Sequence, residues 1–128
     1  MLSNRILQVS DAEIIAKFPS SEEELFYMFP KASYPLAPED LLKESESRFY
    51  PTVALSNQEI AGYGNFIHAE NGNFCSIGNI IVNPIMRKTG VASYLVKTLE
   101  RVAFEQLNVK FIKISCFNGN TAGLLLYH

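Results

Sequence analysis

Between residues 80 and 103 the chain reads IIVNPIMRKTGVASYLVKTLERVA, and within this stretch the hydrophobic period changes. Up to Val82 the residues form a short apolar run of the kind that fills a buried strand. Past Pro84 the period becomes three to four. From Thr89 to Leu107, Val91, Leu95, Leu99, Val102 and Ala103 share one face, with Lys97, Glu100, Arg101 and Glu105 opposite. That spacing predicts an amphipathic helix, which Asn108 can end. Lys110 to Phe117 (KFIKISCF) then reads as another buried strand. A strand, a long helix and a strand in succession imply a parallel crossover over one face of a sheet, so the chain is of the α/β kind.

The rest of the sequence supplies the other strands and helices. Arg5 to Val9 alternates weakly and reads as an opening strand, with Ser10-Asp11 as the N-cap of a short helix through Phe18. Ser20-Ser21 before Glu22, Glu23 and Glu24 predicts a second helix, because acids in the first turn suit the positive end of the dipole. Leu25, Phe26 and Met28 would form its apolar side, and it ends near Pro30. Prolines punctuate Phe29 to Pro38, which excludes a regular element there. Pro38-Glu39-Asp40 opens a third short helix running to about Ser47. FYPTVALS (Phe49–Ser56) and EIAGYGNFIHAE (Glu59–Glu70) are strands joined at Asn57-Gln58, and Asn71-Gly72-Asn73 turns the chain into FCSIGNIIVN. The three form an antiparallel meander. With the crossover, this gives a mixed, mostly antiparallel sheet flanked by helices. No repeat or linker divides the chain, so residues 1–128 read as one domain.

Composition narrows the classes of function. Hydrophobic residues make up 48% of the 128 positions, enough to form a core and too many for a disordered chain. The net charge of -2 comes with scattered lysines and arginines, which excludes the basic footprint of nucleic-acid binding. No apolar run reaches the roughly 18 residues that cross a bilayer, and the N-terminus lacks a signal-peptide core. Cys75 and Cys116 form no CxxC pair, and neither His68 nor His128 has metal-ligand spacing around it. Two free thiols suit a reducing, cytoplasmic setting, with no metal, nucleic acid or membrane as partner.

The junction at Arg87-Lys88-Thr89-Gly90-Val91-Ala92 carries the chemistry. A helix's first turn has N–H groups without intrahelical partners, and the dipole adds positive potential. Anions, phosphates above all, are stabilised there. Gly90 has no side chain to obstruct close approach and Ala92 is nearly as small, Arg87 and Lys88 add charge, and Thr89 can donate a hydroxyl hydrogen bond. A pyrophosphate is the natural occupant. An ordinary helix start with a solvated Arg87 has the same local composition. The segment is neither GxxxxGK[ST] nor GxGxxG.

With its neighbours, this segment resembles the GNAT superfamily of N-acetyltransferases. That family's [Q/R]-x-x-G-x-[G/A] reads Arg87-Lys88-Thr89-Gly90-Val91-Ala92 after Val82-Asn83-Pro84, and its Asn-x-x-[A/G]-x-x-Leu-Tyr reads Asn120 to Tyr127. The resemblance implies a GNAT-like sheet with a splayed central strand pair. It also implies acetyl-CoA as cosubstrate and direct transfer of an acetyl group to a primary amine of a small molecule or protein. Amides from Arg87 through Ala92 would hold the pyrophosphate. The backbone of Ile80, Ile81 and Val82 would pair with the pantetheine arm, and an N–H of Val82 or Ile81 would serve the oxyanion. Asn120 would bond the arm, or act only as a helix N-cap. Tyr127 would protonate the leaving thiolate, or be only a packing aromatic. Deprotonating the amine calls for a base; Glu70 and His68 share a strand face near its end, and Glu70 is the assigned catalytic carboxylate. The segment FPKASYPL, with Phe29, Tyr34 and Leu36, would wall the acceptor pocket. Family domains continue past the tyrosine with a Gly-Phe turn and two strands, so the domain is expected to be C-terminally short. An open edge at Lys110 to Phe117 would then favour a homodimer, and a CoA-binding module with little or no turnover is the alternative reading.

Overall fold

The computed structural model describes residues 1–29, 32–87 and 89–114. Its β-meander follows the turn chemistry. Asn57 and Gln58 both take positive φ, 49° and 72°, the twist that a two-residue hairpin requires. They join β2 (Phe49–Ser56) to β3 (Glu59–Ala69), and the turn at Asn71–Asn73 leads into β4 (Phe74–Val82). The opening strand β1 is Leu2–Ile6, three residues earlier than the weak alternation suggested, and it runs antiparallel to β2. The shift has a local cause. Asp11 returns its carboxylate to the Gln8 N–H at 2.8 Å and to Arg5, which turns the chain out of the sheet at residues 7–8. Gln8 is the N-cap of the 3-10 turn over Val9–Asp11, and Asp11 stands at the N-cap of α1 (Ala12–Ile15) without a side-chain capping bond to it.

Two more short helices follow. α2 (Glu22–Met28) is capped by Ser21 Oγ, which accepts the Glu24 N–H at 3.1 Å, and α3 (Pro38–Glu46) begins with proline in its first turn. On α2, Leu25 is buried as expected, whereas Phe26 faces solvent. The amphipathic helix α4 (Val91–Glu105) crosses from β4 to β5 (Phe111–Ile114), and β5 pairs parallel to β4. The sheet order is β1-β2-β3-β4-β5, antiparallel except for its last pair.

Both sheet faces are covered. Ala12, Ile15, Leu25 and Leu41 of the early helices pack with Val53, Tyr63 and Ile81 on one side. Val91, Leu95, Leu99 and Ala103 of α4 pack with Ala54, Ala61, Phe66 and Ile77 on the other. α4 lies unusually close to β3 because Gly62 has no side chain: a Cβ there would sit 2.9 Å from the Ile81 carbonyl and 3.0 Å from Leu95 and Val91. This packing fixes where α4 begins relative to the end of β4.

Candidate cofactor cradle

Asn83 sets the geometry at the end of β4. Its N–H is donated to the Ala61 carbonyl at 2.8 Å, its Nδ2 to the Ile60 carbonyl at 3.2 Å, and its Oδ1 accepts the Ile85 N–H at 3.2 Å. A 3-10 turn over Pro84–Met86 follows, then Arg87 in an extended conformation. The Thr89 hydroxyl donates to the Met86 carbonyl, so its hydrogen serves the loop itself. Gly90 is the N-cap of α4 at φ 87°, a left-handed conformation in which a side chain is strained. Helix α4 therefore starts at Val91, two residues later than the periodicity alone implied.

No side chain caps this helix. Its first intrahelical bond runs from the Tyr94 N–H to the Gly90 carbonyl at 2.9 Å, so the N–H groups of Val91, Ala92 and Ser93 point out of the helix start. Among the described residues nothing lies within 4 Å of the position a Cβ on Gly90 would take. The approach to these amides is open, and the dipole of a 15-residue helix favours an anion there. Val91 anchors the turn from below with a buried side chain, and Ala92 is half-buried. Arg87 is held by Glu24 of α2, with Nη1 donating to Oε2 at 3.2 Å and Nη2 to Oε1. Lys88 lies outside the described residues.

Strand β4 presents two kinds of backbone. Because the Asn83 N–H points to β3, alternation turns the N–H and C=O of Ile81 the same way, opposite Tyr63. The backbone groups of Ile80 and Val82 point away from β3. Pairing between β4 and β5 covers Phe74 to Ile77, opposite Phe111 to Ile114. The Ile81 side chain is fully buried against the early helices, and Ile80 packs toward α4.

Glu70 stands at the other end of that strand. Its N–H is donated to the Phe74 carbonyl at 2.8 Å, and from Phe74 to Val82 the strand rises about 25 Å. His68 Nε2 lies 2.8 Å from one Glu70 oxygen and Asn73 Nδ2 donates to the other at 3.2 Å. His68 first, then Asn73, holds the Glu70 carboxyl below its ordinary range. The structure thus joins His68 to Glu70, as alternation implied, and does not bring either to the cradle. Asn120, Tyr127 and Cys116 lie outside the described residues. Burial raises the Cys75 thiol above its usual range.

Three features escaped the sequence reading. Asn79 takes φ 52° and bulges β4 between the Tyr63 and Asn65 pairings, and its Oδ1 accepts Arg48 Nε at 3.1 Å. The Gly78-Asn79 pair inside an apolar strand was the available signal. Beside it, Asn65 Nδ2 donates to the Tyr63 hydroxyl at 2.9 Å, both side chains are buried, and Asn65 Oδ1 has no hydrogen-bond partner among the described residues. Burial pushes the Tyr63 hydroxyl up to about 12. The third is the Glu24–Arg87 pair. Of the expected acceptor wall, Phe29 and Leu36 are core residues. Tyr34 instead lines an open depression of about 620 Å³ with Glu22, Glu23, Leu25, Phe26 and Ala32.

Among the described residues no group of three or more His, Cys, Asp or Glu is gathered as a metal site. No helix there is long and apolar enough to cross a membrane.

Comparison with known proteins gives the family and the fold. The family model described as acetyltransferase (GNAT) family matches residues 14–128. A GNAT-family acetyltransferase from Bacillus anthracis superposes with a TM-score of 0.75 at 19% identity, covering 98% of this chain and 75% of that one. Spermidine N-acetyltransferase from Vibrio cholerae, solved with CoA and spermine, gives 0.77 at 18% identity, covering 98% and 77%. The PaiA N-acetyltransferase from Thermoplasma acidophilum, solved with coenzyme A, gives 0.72 at 15% identity, covering 99% and 86%. No curated protein sequence matches the chain.

Proposed function

Since the chain belongs to the GNAT acetyltransferase family, we propose that it transfers the acetyl group of acetyl-CoA directly to a primary amine of a small molecule or protein. One observation carries the reading. An uncapped helix start, opened by Gly90 in the left-handed conformation, directly follows a strand whose Ile80 and Val82 backbone groups face away from β3. The amides of Val91, Ala92 and Ser93 suit a pyrophosphate, and the outward groups of Ile80 and Val82 suit an extended, amide-bearing arm. Solved relatives of the fold carry CoA, which supports the same cofactor here.

Acetyl-CoA supplies an activated thioester, so no nucleophilic side chain is required. The Val82 N–H, turned outward, is the donor assigned to the oxyanion. Asn120 is assigned to the pantetheine arm, and Tyr127 to protonation of the departing thiolate. The acceptor is placed beside α2, where Glu22, Glu23, Phe26 and Tyr34 line the open depression and suit a cation.

The reading is tested in two steps. Acetyl-CoA is expected to raise the melting temperature where ATP does not; equal stabilisation by ATP would sink the cofactor assignment. Acetylation across a panel of alkylamines, polyamines and peptide N-termini is then expected in the wild type, and to fall at least about tenfold in Tyr127→Phe. Cofactor binding without any acetyl transfer would leave a CoA-binding module.

A further inference from the structure

Glu24 and Arg87 are 63 positions apart in sequence, yet they join α2 to the cradle loop. The two sides of the pair are held differently. The Glu24 carboxylate also accepts the Ser20 hydroxyl at 2.9 Å and the Ser20 N–H at 3.3 Å, so it keeps hydrogen-bond partners of its own without the arginine. The Arg87 side chain is 39% exposed, and Glu24 is its described ion-pair partner. It stands three residues before Gly90, on the rim of the uncapped helix start. An anion seated on the amides of Val91 to Ser93 would meet it there. Guanidinium binds phosphate oxygens through the same two-pronged geometry that it uses on a carboxylate, and a partly exposed ion pair is a weak hold.

We propose that Glu24 is a positioning residue for the cradle, competing with the cofactor's pyrophosphate for the Arg87 guanidinium. Cofactor binding thereby frees α2 from the loop. The inference rests on the acetyl-CoA reading above. Its consequence reaches the acceptor side. Glu22, Glu23, Leu25 and Phe26 of the same helix line the depression assigned to the amine. A coupling of this kind is reciprocal, so an acceptor that shifts α2 changes cofactor affinity by the same factor.

Calorimetric titration of CoA into wild type, Glu24→Gln, Arg87→Gln and the double variant tests it. Removing the competitor is expected to tighten CoA binding about two- to fivefold, the worth of one exposed ion pair. In the Arg87→Gln background the same change is expected to do nothing. Melting curves without CoA check that α2 stays folded. Unchanged or weaker CoA binding in Glu24→Gln overturns the inference, as does equal tightening without Arg87. In either case wild-type CoA binding shows that the cofactor reading itself still stands. A wild type that fails to bind CoA overturns both.

Discussion

Replacing Gly90 separates two things that the start of α4 combines, a left-handed backbone and an unobstructed approach to three amides. At φ 87° an L-residue is disfavoured by about 1–2 kcal/mol. An added Cβ meets nothing within 4 Å among the described residues, so no packing term enters from them. The stiffer unfolded chain offsets about 0.4–1 kcal/mol. Gly90→Ala is therefore expected to lose about 1 kcal/mol, read by urea denaturation, or roughly 3–5 °C of melting temperature for a chain of this size. Asparagine tolerates the left-handed region, so Gly90→Asn should recover a good part of that loss. Cofactor affinity should not follow stability. Both variants place a side chain where the pyrophosphate approaches, and losing one or two charge-assisted hydrogen bonds weakens binding about ten- to a hundredfold. If Gly90→Ala were as stable as wild type, the left-handed helix start would be wrong. If Gly90→Asn bound CoA as wild type does, the glycine would serve the backbone alone and the close-approach argument would fail.

Two further outcomes concern the scaffold. Asp11 is buried and held by Arg5 at 2.7 and 2.9 Å and by the Gln8 N–H, and the Arg5 hydrogen bonds, foremost, lower its pKa. A carboxyl depressed in the folded state stabilises above its unfolded pKa of about 4, and that stability is lost as pH falls through the folded value. Asp11→Asn should cost about 1.5–3 kcal/mol at pH 7 and flatten the acid limb of the stability curve; an unchanged limb would count against the pair. Tyr63→Phe removes the partner of Asn65 Nδ2 in the core, where Asn65 Oδ1 already lacks one, and should cost about 1–3 kcal/mol in denaturant. Adding Asn65→Leu should return most of it, and additive losses would show that the two do not interact.

What could be read from the sequence was local. The residues of β2 were legible because FYPTVALS is bounded by turn signals on a period-two background, and α4 because five apolar positions recur at helical spacing. The junction of β4 and α4 was legible for the same reason: a strand, a glycine and a helix start adjoin along the chain. Features that depend on distant residues were not. Nothing at Glu24 announces Arg87, since an ion pair has no period. Phe26 reads as apolar helix face, yet a seven-residue helix lying against β4 buries Leu25 and leaves Phe26 on the rim of the depression. Alternation put His68 and Glu70 on one face correctly, but it says nothing of which end of the sheet that face occupies.

That last point bears on mechanism. An amine with an ordinary pKa near ten gives up its proton only to a positioned acceptor. Glu70, the carboxylate the family resemblance assigns to this task, differs from such an acceptor in two respects. His68 and Asn73 lower its proton affinity below that of a free carboxylate, and it lies a whole strand length from the amides that would seat the pyrophosphate. What the cradle end of β4 offers instead is backbone: the outward groups of Ile80 and Val82 and the three free amides of α4. Such groups can bind and orient a ligand, and a backbone N–H can stabilise developing negative charge, but none of them takes a proton. In the proposed mechanism cofactor binding and turnover would thus draw on different residues. On the proposed reading the first draws chiefly on main chain, with the Arg87 guanidinium and Asn120 beside it, and single side-chain changes on β4 would scarcely reach it. The second would depend on side chains brought to the thioester, for which the family resemblance assigns Tyr127 and Glu70.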